Sequence, residues 1–163
     1  MLLILVTAVY LALPSPAFPP PPPNSLQSDE PADTESVYRR AYYTDYSRSE
    51  IMAYYKKQFQ SSPLGRLPLL QIRLNYPPED AFTYIRDQTQ SSWLEELVHP
   101  GRESIFINGF YPTKPTEQIN INGVHYLNKI TVHYYPSRAV SRLTVLALTV
   151  IAVIWLKKEY GQV

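Results

Sequence analysis

The chain contains no cysteine among its 163 residues, which excludes disulfides, thiolate metal sites and a cysteine nucleophile while leaving the compartment open. An excess of charge is missing too: 15 Lys and Arg stand against 14 Asp and Glu, a formal net charge of +1. No basic surface points to nucleic acid, which is not expected as a partner, and no acidic tail suggests a solvated arm. There is no Asn-x-Ser/Thr sequon, so glycosylation gives no guide to location. The 5 glycines form no phosphate-cradling loop, and neither a His-Glu-x-x-His run nor a Gly-x-Ser-x-Gly elbow occurs. No cofactor is expected.

Long apolar runs are what the chain does have, and they lie at its two ends. From Leu143 to Leu156 there is no charge, and only Thr144 and Thr149 carry hydroxyls. As a helix this run rises roughly 21 Å, against a hydrocarbon core of roughly 30 Å. Starting at Ala139 lengthens it to about 27 Å but takes in Arg142, which so near a helix end is expected to snorkel to the headgroups. Short apolar runs also suit core helices, yet this one is apolar all round and the domain is too small to enclose it. A transmembrane helix is therefore expected over 139–157, with a short cytoplasmic tail at 158–163. Tyr134 and Tyr135 with Arg138 and Arg142 would mark one membrane boundary, and Trp155 with Lys157 and Lys158 the other.

The opening segment, MLLILVTAVYLALPSPAF, is uncharged from Leu2 to Leu13. That length fits the apolar part of a signal peptide, with Ser15 and Ala17 as small residues before a cut. The basic start is missing, however, and Pro16 and Phe18 suit cleavage poorly. Residues 1–17 are thus either a cleaved signal peptide or an N-terminal membrane anchor ended by Pro14. Both place the middle of the chain outside the cytoplasm. Charge does not decide orientation, because Lys129, Arg138 and Arg142 precede the C-terminal run and Lys157 and Lys158 follow it. The lack of disulfides and sequons leans towards a bacterial cell envelope.

Residues 18–36 read as a Pro-rich linker. Pro19 to Pro23 suit a polyproline II spacer of roughly 15 Å, and the polar, acidic stretch 25–36 is expected to be disordered. The domain follows at 37–138. VYRRAYYT reads as a strand. Ser47 and Glu50 fit a capping box that opens a helix over 48–60, with Ile51, Tyr54, Tyr55 and Phe59 at helical spacing. LLQIRLNY alternates, placing Leu70, Ile72, Leu74 and Tyr76 on one side of a strand. Pro78 with Glu79 and Asp80 predicts a second helix carrying Ala81, Phe82, Ile85 and Thr89. Ser92 and Glu95 repeat the S-x-x-E pattern and predict a short third helix with Trp93, Leu94, Leu97 and Val98.

The remainder is β. ESIFINGFYP reads as a strand and EQININGVHYLNKITVHYYP as a hairpin turning at Asn122-Gly123 in a type I′ turn. That turn pairs Ile121 with Val124 and Ile119 with Tyr126, and alternation keeps Ile130, Val132 and Tyr134 on the same face. Asn108-Gly109 is a candidate second turn. The sum is an α+β domain: a small single sheet of about four to six strands ending in a hairpin or meander, with two to three helices on one face, followed by the transmembrane helix.

Chemistry-bearing residues are sparse. His125 and His133, roughly 26 Å apart on one strand, are too distant to share a metal and sit on a polar face with Lys129 and Thr131. His99 is placed at a helix end. Glu95, Glu96 and Glu103, with His99 and Arg102, make the densest ionisable cluster, and two carboxylates at a suitable separation could hydrolyse a glycoside. Ordinary exposed pairs give the same pattern, and no catalytic or metal role is assigned. Tyrosine is the unusual feature, with 14 residues and doublets at 42–43, 54–55 and 134–135. A ring with a polar tip suits protein interfaces, sugar stacking and headgroups. Tyr43, Tyr46, Tyr84 and Tyr111 are the partly exposed interface candidates. The expected role is a non-catalytic one in protein interaction or assembly, such as an accessory subunit of a membrane complex. Its expected partners are the lipid bilayer and other membrane or envelope proteins, with no small-molecule cofactor. Tyrosine-mediated binding of an envelope polysaccharide and a carboxylate-dependent hydrolase are the alternatives.

Overall fold

In the computed structural model, which describes residues 2–60, 70–77 and 92–161, the chain begins with α1 (Leu2–Ala12), β1 (Leu26–Gln27), β2 (Arg39–Thr44) and α2 (Arg48–Gln60). There follow β3 (Ile72–Tyr76), β4 (Trp93–Val98), β5 (Ser104–Phe110), β6 (Ile119–Ile121), β7 (Val124–Tyr126), β8 (Asn128–Tyr135) and α3 (Ala139–Tyr160). Six strands form one sheet in the order β1-β2-β8-β5-β4-β3, antiparallel throughout, and β6 with β7 makes a separate ribbon. This is the α+β architecture expected, with a C-terminal apolar helix long enough to cross a membrane.

The capping box forms as its spacing requires. Ser47 N–H donates to Glu50 Oε2 at 2.8 Å and Glu50 N–H to Ser47 Oγ at 3.4 Å. α2 then lays Ile51, Met52, Tyr55 and Phe59 on the middle of the sheet, against Ile105 and Ile107 of β5 and Ile130 and Val132 of β8. Burying each such aliphatic side chain contributes about 1.5–3 kcal/mol. β3 alternates as expected, but its polar set faces the helix: Arg48 of α2 bonds Asn75, while Ile72 and Leu74 lie exposed on the outer face.

Several expectations fail, each for a non-local reason. Trp93 to Val98 is a strand, not a helix, because it finds partners on both sides: Trp93 lies opposite Gly109 and Leu94 opposite both Asn108 and Tyr76. Ser92 caps no helix there; its N–H donates to Gly109 O at 2.9 Å, and its hydroxyl accepts from Tyr111 N–H at 2.8 Å. Asn108-Gly109 is not a turn but the interior of β5. The ribbon keeps the expected register, Ile119 with Tyr126 and Ile121 with Val124, around a turn with positive φ at both Asn122 and Gly123. The strand breaks at Leu127, however, so Val124 is exposed and does not continue the buried face of β8. The helix expected to open at Pro78 lies outside the described residues.

The Pro-rich segment packs on the domain. Pro19 and Pro22, three apart as one face of a polyproline helix would place them, are buried, and Tyr54 Oη donates to Pro21 O at 2.7 Å. Beyond them, Leu26 and Gln27 add an edge strand to β2. Lys129 Nζ holds Asp33 at 2.7 Å and Glu30 at 3.0 Å, so the acidic stretch that looked disordered meets its counter-charge on β8.

Candidate functional site: the ionic joint at the foot of the domain

α1 and α3 pack on each other. The half-covered positions of α3 are Ala139, Leu143, Leu146 and Val150, which with buried Arg142 recur at helical spacing. On α1 the matching positions are Thr7, Ala8 and Leu11. At the end where both helices meet the domain, the turn between β4 and β5 supplies a cluster of buried charge. Glu103 sits at its centre with a fully buried side chain. Its Oε1 lies 2.9 Å from His99 Nδ1 and 3.1 Å from Arg102 Nη2. Its Oε2 accepts from Ser15 Oγ at 2.9 Å and lies 3.6 Å from Arg142 Nη1.

The two arginines also grip the segment after α1. Arg142 Nη2 donates to Leu13 O at 3.1 Å and Arg102 Nη2 to Pro14 O at 2.9 Å. Tyr10 Oη donates to Pro100 O at 3.0 Å while its ring lies under the Arg102 guanidinium, 5.3 Å away. Tyr134 Oη donates to Pro16 O at 2.6 Å, and Phe18 meets the Tyr134 ring edge-on. Burial pushes the Tyr134 hydroxyl up to about 12, with the Glu103 charge adding to it. Ser137, just before α3, donates its hydroxyl to Arg102 O. Three stretches distant in sequence thus share one desolvated hydrogen-bond network, which is worth more than its separate pairs.

Two of the residues expected at the membrane boundary are buried. Arg142 does not snorkel; its side chain is 4% exposed and turned inward to Glu103. Tyr134 is buried and structural, whereas Tyr135 and Arg138 are exposed beside the start of α3. Trp155, Lys157 and Lys158 are exposed at its far end. His99 ends a strand rather than a helix and stacks on Phe59, ring centroids 4.3 Å apart. The sequence showed these residues as a dense cluster but gave no sign that Ser15 and Arg142 complete it.

The three glutamates do not converge. Glu95 and Glu96 are consecutive on β4 and point to opposite faces. Glu95 is held by Arg48 Nε at 2.6 Å and by Arg73; Glu96 accepts from Tyr76 Oη at 2.6 Å. Burial acts to raise the carboxyls of Glu95 and Glu103. It is outweighed at Glu95 by hydrogen bonds and charge from Arg73 and Arg48, and at Glu103 by hydrogen bonds from His99 and Ser15 and the Arg102 charge, so both lie below the usual carboxylate range. A depressed carboxyl means that the unfolded chain binds more protons on acidification. Stability is therefore full above the ordinary carboxylate pKa and falls as pH drops through the lower folded-state values. Thermal midpoints across the acid range should decline, and less steeply for Glu95→Gln than for the wild type.

Of the interface candidates, Tyr43 is not exposed: it is 6% accessible, and its hydroxyl donates to Glu30 Oε1 at 2.7 Å. Tyr46 and Tyr111 are half-buried and pack on the core. Tyr84 lies outside the described residues. His125 stands on the exposed ribbon near Asn120, and His133 lies on the outer face of the sheet beside Tyr135. Among the described residues no group of His, Asp or Glu could hold a metal. A pocket of about 310 Å³ beside the start of α2 is lined by Pro23, Asn24, Thr44, Asp45, Tyr46 and Glu50. Its polar groups are engaged internally: Asp45 accepts from Leu127 N–H, Thr44 from Tyr46 N–H, and Glu50 caps the helix.

Taken together, fold and joint define a small α+β domain fastened to a pair of apolar helices. No family model, no curated protein and no solved structure matches this chain.

Proposed function

We propose that this protein is a membrane-anchored extracytoplasmic domain with a non-catalytic role in assembly, such as an accessory subunit of a membrane complex in a cell envelope. The observation that carries the reading is the Glu103 joint, which fixes the domain to α1 and α3 by buried contacts where a tethered enzyme or binding module would need only a flexible linker. In this reading α1 is a retained anchor and not a cleaved signal. A cut after Ala17 would take away the acceptors of Arg102 and Arg142 and the Ser15 hydroxyl on Glu103. The export-signal character of the N-terminal sequence supports a domain outside the cytoplasm, with Lys157 and Lys158 inside. The engagement of Glu95, Glu96 and Glu103 in separate internal pairs supports a structural use of those carboxylates.

Purification of the full chain in a gentle detergent, followed by native and intact mass, tests both parts. We expect residues 2–17 to be present in the mature protein and other membrane proteins to be retained in fixed stoichiometry. A mature chain beginning at Phe18 would remove the retained anchor. A lone protein free of partners under these conditions would remove the assembly role.

A further inference from the structure

We propose that the helix-proximal rim of the sheet is a second membrane contact, seating Val37, Tyr38 and Tyr135 in the headgroup layer of the bilayer that α3 enters. The inference rests on α3 crossing that bilayer and deepens the anchored reading. Its geometry comes from the joint. Glu103 immediately precedes β5, and it reaches Arg142, one turn inside α3. The first residue of β5, Ser104, lies opposite Tyr135, the last of β8. That rung of the sheet is therefore level with the first turn of the apolar helix. Tyr134 N–H donates to Tyr38 O at 2.8 Å, which brings the start of the β2 segment to the same level.

Large apolar and aromatic side chains are displayed there. Val37 is 70% exposed, Tyr38 44% and Tyr135 44%, and the exposed Arg138 adds a cation three residues after Tyr135. Large apolar and aromatic groups fully in water are unfavourable by about 25 cal/mol per Å² of apolar surface. Tyrosine rings with a neighbouring arginine match the boundary layer, where the ring is shielded and the polar tips stay wet. Only residues 136–138 separate Tyr135 from α3, a reach of about 14 Å from Tyr135 to Ala139 even when fully extended, so a bilayer that α3 enters lies close to this rim. With Arg142 turned inward, the lipid-facing side of α3 is uncharged from Ala139 to Leu156, so the helix can sink far enough to bring the rim down.

The absence of cysteine makes the test direct. Single-cysteine variants Val37→Cys, Val124→Cys and Ile151→Cys of the full chain would carry a small fluorophore in nanodiscs of phosphatidylcholine and phosphatidylglycerol. Quenching by lipids carrying a nitroxide on the headgroup or on the acyl chain would be compared with quenching by aqueous iodide. All three positions are exposed in the structure, so the labels displace no core packing. We expect the labels at 37 and 151 to be quenched by lipid and protected several-fold from iodide relative to the one at 124, on the distant ribbon. Lipid quenching at 151 with a label at 37 as open to iodide as that at 124 would overturn the rim contact while leaving the span standing. A label at 151 open to iodide would overturn the span and the rim contact together.

Discussion

Replacing Glu103 by Gln should cost about 3–5 kcal/mol, the penalty for leaving a buried charge without its partner. The side chain keeps its size, so the change isolates charge from packing. Arg102 and Arg142 have side chains only 2% and 4% exposed, and Glu103 is the carboxylate between them. The wild-type joint already sets two guanidiniums against one carboxylate; the variant would set two against none, in a place water does not reach. Domains are stable by about 5–15 kcal/mol in total, so such a loss takes a large share. We expect a lower denaturation midpoint in mild detergent and rapid proteolysis of the segment at 14–23, whose acceptors would no longer be held. Adding Arg142→Met to Glu103→Gln should restore part of the loss, because an apolar side chain in that space needs no counter-charge. Equal midpoints for wild type and Glu103→Gln would mean that the joint does not hold the domain to its helices.

What was legible in the sequence was local. The capping box at Ser47, the alternation over Ile72 to Tyr76 and the register around Asn122-Gly123 each depend on residues a few positions apart, and each formed as read. What was not legible depended on partners far along the chain. Glu95 looked like an exposed helical residue because nothing nearby announces that Arg48 and Arg73 will neutralise it on a buried strand. The acidic stretch ending at Ser36 looked disordered because Lys129 and Tyr43, which hold Glu30, are distant. Arg142 looked like a helix-end residue that would snorkel to headgroups, and it lies instead against Glu103. The long apolar run at the C-terminus was legible from composition alone, whereas the joint required knowing which buried charges meet.

The same dipeptide, Asn-Gly, occurs twice, and its two glycines should respond to substitution by very different amounts. Gly123 has φ of +79° and open space around it, so Gly123→Ala meets only the cost of a left-handed backbone, about 1–2 kcal/mol. At Gly109 no positive φ is involved. An added Cβ would lie 2.0 Å from Trp93 Cε2 and 2.1 Å from its Nε1, deep inside contact distance. Trp93 is buried opposite Gly109, with Arg48 over its ring at 5.5 Å, and has no free direction in which to move. Overpacking a core costs about 1–3 kcal/mol and occasionally more; Gly109→Ala should reach or exceed the top of that range. The β4–β5 pairing would open and carry Glu95 out of reach of Arg48. Combining Gly109→Ala with Trp93→Leu should be milder than the sum of the two changes, since the smaller side chain leaves room for the methyl group. Residues in direct contact couple in this way by about 0.5–3 kcal/mol. Additive losses, or an unchanged midpoint for Gly109→Ala, would show that the ring does not lie over the glycine. The favoured hairpin-turn dipeptide is used here as a notch for an indole, on the strand whose first residue follows Glu103.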